Sequence, residues 1–166
     1  MSYDHWINIV LFEPEIPANT GNIGRLCVGM KAKLHLIEPL GFSLAEKDVR
    51  RAGLDYWEKL ELQVYRSLED FFDQNKNINF YFASTKATKN YTEITYKAND
   101  YIFFGKESAG LPKIFHKEFT EKGLTIPMSN LIRSINLSNS CAIVLYEAHR
   151  QLSNYSILDD LKTPNI

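Results

Sequence analysis

The hydrophobic positions fall into short dense runs separated by stretches of helical spacing. Ile7-Asn8-Ile9-Val10-Leu11-Phe12 is almost continuously apolar, the pattern of a strand covered on both faces. Glu13-Pro14-Glu15-Ile16-Pro17 ends it, because its two prolines bring no N–H to a ladder. Asn19-Thr20 can cap a helix, and Ile23, Leu26, Cys27 and Met30 then recur at the helical period. Lys33–Ile37 reads as a second strand, closed by Glu38-Pro39-Leu40-Gly41. A short polar helix is predicted over Ala45–Arg51, a weaker strand over Leu62–Tyr65 and a helix over Leu68–Asp73. The second half repeats the rhythm. Asn79–Ala83 and Tyr101–Phe104 read as strands, with a polar loop through Lys97 between them. Leu111-Pro112 opens a helix that runs to Lys122, and Leu124–Ile126 is a short strand cut by Pro127. The last helix starts near Asn136 and carries Cys141, Val144, Leu145, Ala148 and Leu152 on one face. Strands alternating with helices predict an α/β fold, a mostly parallel sheet with helices on both faces.

Composition narrows the possibilities. The chain has 166 residues and is 45% hydrophobic, enough for one domain with a real core and too apolar for global disorder. Lys and Arg number 19 against 20 Asp and Glu, a net charge of −1, which excludes coating of nucleic acid by bulk charge. The charge is unevenly spread. Residues 84–117 carry six lysines (Lys86, Lys89, Lys97, Lys106, Lys113, Lys117) and three acids (Glu93, Asp100, Glu107), or +3. Residues 55–73 carry two bases and six acids, or −4. That asymmetry suits an RNA-facing surface opposite an acidic one, with Arg50, Arg51, Arg133 and Arg150 on the positive side; the alternative is an ordinary solvated surface. Cys27 and Cys141 give neither a disulfide framework nor a metal spacing, so no metal is expected and both read as small apolar residues. The first apolar run is too short for a signal sequence and no run is long enough to span a bilayer, which predicts a cytoplasmic protein with no membrane contact.

Ligands of open α/β sheets gather beyond the carboxyl ends of strands, and three such ends are unusually polar here. The first is Asn19-Thr20-Gly21-Asn22-Ile23-Gly24-Arg25. Each glycine inside a helix costs about 1 kcal/mol relative to Ala, so Gly21 and Gly24 serve either the close approach of a ligand or plain packing against another backbone. No phosphate-loop or GxGxxG pattern is present. The second is Phe104-Gly105-Lys106-Glu107-Ser108-Ala109-Gly110-Leu111-Pro112, where backbone amides can hold an adenosine or a carboxylate. Glu107 there can favour a helix dipole or orient an Arg. The third runs from Ile126-Pro127-Met128 to Arg133-Ser134-Ile135-Asn136-Leu137-Ser138-Asn139-Ser140, with more capping residues than one helix needs.

Together the three segments resemble the motifs of the SPOUT methyltransferases, SpoU branch. Asn19, Gly21 and Arg25 match the first motif. Phe104, Gly105, Glu107, Gly110, Leu111 and Pro112 match the second. Ile126-Pro127-Met128 and Ser134-Ile135-Asn136-Leu137-Ser138-Asn139 match the third. Ile9–Pro17, His35–Phe42, Arg51–Tyr56 and Tyr146-Glu147-Ala148 are similar to the small YibK-type group within that branch. A departure lies at Ser108-Ala109, where close relatives often carry Arg; Lys106 is the neighbouring cation.

The resemblance implies a single SPOUT domain over residues 1–155 with a tail at 156–166, a deep C-terminal trefoil knot and a homodimer. It implies transfer of a methyl group from S-adenosylmethionine to the ribose 2′-hydroxyl of the tRNA wobble nucleotide, cytidine or modified uridine. The rival readings are methylation of rRNA and an RNA-binding SPOUT protein without catalysis. The implied cofactor-binding residues are Ala83, Gly105, Ile126 and Ser134. The implied catalytic residues are Arg25, Asn19, Glu107, Ser134 and Asn136. Arg25 keeps its proton and is expected to stabilise the substrate alkoxide, with Asn19 and Glu107 holding Arg25 or the substrate. Ser134 and Asn136 are expected at the methyl-transfer end. None of His5, His35, His116 and His149 lies in a motif.

Overall fold

The apolar run Ile7–Phe12 forms strand β1 with all six residues buried, because it sits in mid-sheet with helices over both faces. This is seen in a computed structural model that describes residues 7–45, 56–156 and 158. The other strands are β2 (Lys33–Ile37), β3 (Leu62–Tyr65), β4 (Phe80–Ala83), β5 (Lys89–Asn90), β6 (Asp100–Phe104) and β7 (Gly123–Thr125). They form one sheet in the order β3-β2-β1-β6-β4-β7-β5, and every pairing is parallel. The helices are α1 (Pro17–Gly29), α2 (Leu68–Gln74), α3 (Lys113–Glu118) and α4 (Leu137–Ser153). No helix among the described residues is long and apolar enough to cross a membrane.

Period-2 alternation sends β1 side chains to two cores. Ile7, Ile9 and Leu11 join Ile23 and Cys27 of α1 and Cys141, Val144, Leu145 and Ala148 of α4. Val10 and Phe12 join Phe71 of α2, Phe115 of α3 and the strand residues Phe80, Phe82 and Phe103. Edge-to-face aromatic pairs organise the second core, with Phe71 and Phe80 at 5.2 and 5.5 Å from Phe103. Helices thus cover both faces, as the alternation predicts. Cys27 and Cys141 are fully buried and free, and burial pushes both thiols up, away from thiolate chemistry.

Three predicted elements change by more than a residue or two. α1 begins at Pro17 rather than after an Asn19-Thr20 cap, since proline's fixed φ suits the first helical position. The loop predicted after Ala83 contains the two-residue edge strand β5 and a 3₁₀ turn at Tyr91–Glu93, both too polar and short to show in a hydrophobic pattern. The helix predicted to reach Lys122 breaks after Glu118 and ends in a 3₁₀ turn at Thr120–Lys122. The predicted helix Ala45–Arg51 lies outside the described residues except for Ala45.

A buried polar relay crosses the aromatic face. Asn8 donates its amide to the Asn99 carbonyl, so its Oδ1 accepts from His35 Nε2 at 3.0 Å. His35 Nδ1 then accepts from the Tyr65 hydroxyl at 2.8 Å, and Tyr65 accepts from Asn75. Asn75 Oδ1 in turn accepts from Tyr101. This order requires neutral His35 with its proton on Nε2. Removing the hydroxyl in Tyr65→Phe takes away the donor to buried His35 Nδ1, while Asn75 Nδ2 keeps its bond to the Phe71 carbonyl, and should cost about 1–3 kcal/mol in urea denaturation.

His149 of α4 is fully buried, and both its ring nitrogens lack a hydrogen-bond partner among the described residues. Burial holds its pKa below the usual 6.5. The unfolded chain therefore takes up this proton at a higher pH than the folded one. Stability is unaffected above 6.5 and falls as pH drops through 6.5 toward the folded value. Thermal melts from about pH 7.5 to 5.5 should show a shallower acid decline in His149→Leu than in the wild type.

Candidate active site

The carboxylate of Glu107 reaches across to the start of α1. Its Oε2 accepts the Glu15 amide at 2.8 Å, and its Oε1 accepts the Ile16 amide and Asn19 Nδ2, both at 3.1 Å. Ile16, the residue before the helix, has no capping side chain of its own. Glu107 is therefore the cap, supplied from ninety residues away in sequence, and its charge faces the positive end of the α1 dipole. A carboxylate only accepts, so it orients the Asn19 amide NH₂ toward itself. Asn19 Oδ1 is left for Asn136 Nδ2, at 3.0 Å. Asn136 Oδ1 then accepts the Ser138 and Asn139 amides and the Ser138 hydroxyl, capping α4. One directed chain, Glu107–Asn19–Asn136, joins all three sequence segments.

A second clasp runs the opposite way. Glu15 accepts the Ser108 amide and hydroxyl at 2.8 Å each, which holds its carboxyl below the usual range. Lys106 Nζ lies 2.7 Å from Glu13, whose carboxylate raises the ammonium pKa. The 105–110 loop turns back on itself, with the Gly110 amide donating to Lys106 O at 2.8 Å. A Cβ on Gly105 would lie 2.1 Å from the Gly110 carbonyl carbon, and Gly110 sits at φ +71°. Both positions therefore need glycine.

These loops enclose a cavity of about 730 Å³ at the carboxyl ends of β4, β6 and β7, within the size range of cofactor pockets. Asn19, Ala83, Gly105, Glu107, Ile126, Ser134 and Asn136 all line it. The structure brings together every residue selected from the sequence except Arg25. Arg25 is exposed on α1, its guanidinium 5.9 Å from the centre of the Tyr56 ring. Asn19 and Glu107, expected to hold Arg25 or the substrate, are engaged within this chain with the α1 start and with Asn136. Gly24 of the first segment serves packing. Tyr56 Oη donates to the Gly21 carbonyl, and a Cβ on Gly24 would press on Leu60 at 3.1 Å.

The cavity also contains residues that the motifs do not include. His116 of α3 lies 3.4 Å from Ser84 Oγ, and Lys86, Lys113 and Arg133 complete the polar rim. Ala83, Leu111, Leu124, Ile126 and Met128 supply apolar walls. Apolar side chains beside loop backbone and polar side chains suit a flat purine ring with hydrogen-bonding edges, so the residues fit an adenosine-containing cofactor. Among the described residues no cluster of His, Cys, Asp or Glu could hold a metal ion.

The fold and this motif-built cavity define an RNA methyltransferase of the SpoU class. The chain matches the SpoU rRNA Methylase family model over residues 6–146 and belongs to that family. Its relatives include the tRNA (cytidine(34)-2'-O)-methyltransferase of Saccharophagus degradans, 47% identical over 146 residues, 87% of this chain and 95% of the relative. The enzyme of the same name from Yersinia pestis is 45% identical over 152 residues, 88% of this chain and 94% of the relative. A solved structure concerned with 2-OH methylation of C/U34 on tRNA is 37% identical and superimposes with a TM-score of 0.84, covering 89% of this chain and 96% of that one.

The chain Glu107–Asn19–Asn136 makes a graded prediction. Asn19→Ala loses two hydrogen bonds, whereas Asn19→Asp sets a second carboxylate against Glu107. Denaturation should find Asn19→Asp less stable than Asn19→Ala by about 1 kcal/mol or more at neutral pH, with the gap narrowing as acid protonates the pair.

Proposed function

We propose that this protein methylates the ribose 2′-hydroxyl of the wobble nucleotide, cytidine or modified uridine, in tRNA, using S-adenosylmethionine. The observation that carries this reading is the convergence of six motif residues, Asn19, Gly105, Glu107, Ile126, Ser134 and Asn136, from three distant segments on one cavity. The chain is, besides, 45–47% identical over most of its length to enzymes named for that reaction. Ala83, Gly105, Ile126 and Ser134 would hold the cofactor, which supplies an electrophilic methyl group when bound. Ser134 and Asn136 stand at the transfer end, with Asn136 fixed by Asn19 and through it by Glu107.

A ribose hydroxyl is a weak acid, so the site needs a positive group to stabilise the developing alkoxide. Arg25 has the right charge and does not line the cavity of its own chain. We assign it to the cavity of a second copy in a homodimer. Exposed apolar side chains support that pairing: Ile16 at the start of α1, Leu131 and Ile132 ahead of α4, and Tyr146 on α4 are 46%, 88%, 53% and 48% exposed. The expected trefoil knot belongs to the same reading. The segment after β7 must return to the α1 start for Asn136 to meet Asn19, 117 residues earlier. A cytoplasmic location follows from a tRNA substrate.

Incubating the protein with total tRNA and the cofactor should yield 2′-O-methylcytidine or 2′-O-methyluridine at the wobble position, read by nucleoside mass spectrometry; no new methylated nucleoside would refute the assignment. Arg25→Ala should lose methylation by about 100-fold or more while retaining cofactor affinity by calorimetry.

A further inference from the structure

The chain carries a net −1, yet the residues lining the cavity sum to +3: Lys86, Lys106, Lys113 and Arg133 against Glu107, with histidine neutral. Lys106 is matched by Glu13 outside the lining. Elsewhere Lys76 is matched by Asp73 and Arg150 by Glu147. Lys86, Lys113 and Arg133 are all exposed and have no side-chain partner among the described residues. They reach the cavity from three elements: the turn after β4, the first residue of α3 and the segment before α4. The opposite wall is closed to anions, since Glu13, Glu15 and Glu107 hold it together.

We propose that Lys86, Lys113 and Arg133 form a phosphate-binding rim that takes the RNA backbone beside the nucleotide to be methylated. This deepens the tRNA methyltransferase reading and rests on it. The charge of the cofactor argues that the rim serves RNA. S-adenosylmethionine carries a sulfonium and an ammonium against a single carboxylate, so it is a net cation. Three unmatched cations around a cationic ligand repel it on balance, and only a polyanion turns that arrangement into attraction. The rim lies on the β4–β7 side, so the strand enters over Lys86 and Lys113 and away from the acidic 55–73 surface. RNA bound there offsets the repulsion felt by the cofactor, so each ligand strengthens binding of the other.

The test is the salt dependence of tRNA binding to the full-length protein, measured without turnover. In Lys86→Ala and in Lys113→Ala the slope of log K against log [salt] should become shallower by about 0.7–0.9, and by about twice that in the double variant. Binding at about 0.1 M salt should weaken about five-fold per lysine. Lys113→Arg should keep the wild-type slope. So should Lys59→Ala, which removes a cation from the acidic surface. Calorimetry with S-adenosylmethionine should show undiminished affinity in both alanine variants. Wild-type slopes in the two alanine variants would overturn the rim. So would a several-fold loss of cofactor affinity at unchanged slope, since the lysines would then hold the carboxylate of the cofactor. Because binding is read directly, failure of the rim is distinct from failure of the tRNA methyltransferase reading, which would appear as absence of methylation by the wild type.

Discussion

The carboxylate of Glu107 is the interaction on which the site depends. Its oxygens accept two amides that α1 cannot satisfy for itself, because Pro17 follows Ile16 and neither offers a capping side chain. Since a carboxylate has only acceptors, its presence sets the orientation of the Asn19 amide and, through Asn19, that of Asn136. The caps of the first and last helices and the floor of the cavity are consequences of one acceptor-only group. The reciprocal bonds from Ser108 to Glu15 keep that group from swinging away.

Much of the fold was legible in the sequence because a doubly covered parallel sheet leaves strong marks. Strands β1, β2 and β3 fall on the predicted runs, and α4 begins at Leu137, directly after its cap Asn136. What stayed hidden was small or polar. β5 is Lys89-Asn90, held by pairing to β7 and by no hydrophobic pattern of its own. The start of α1 was misplaced because its cap comes from Glu107, a partner that no local window contains.

The site shows the same division. Motif residues converge on the cavity, yet their division of labour follows from geometry alone. Glu107 was expected to favour the dipole of its own following helix or to orient an arginine, and it serves the dipole of α1 instead. Gly24 reads equally well as a ligand contact or as packing, and Leu60 decides for packing. His116 and Ser84 had no motif to mark them; only their position beyond β6 and β4 connects them to the cavity. The net −1 likewise conceals a separation of charge in which matched pairs build the scaffold and unmatched cations face the opening.

The hydrogen bond between Asn19 and Asn136 closes a loop of more than a hundred residues. In a chain made from its N-terminus, the sheet from β1 to β7 can be complete while the cavity still lacks one wall, because Arg133 to Ser140 emerge among the last segments. Until then Asn19 has one of its two side-chain partners, Glu107. The geometry thus times the appearance of the site to the end of synthesis. A truncated or unreleased chain can own every strand of the fold and remain catalytically silent.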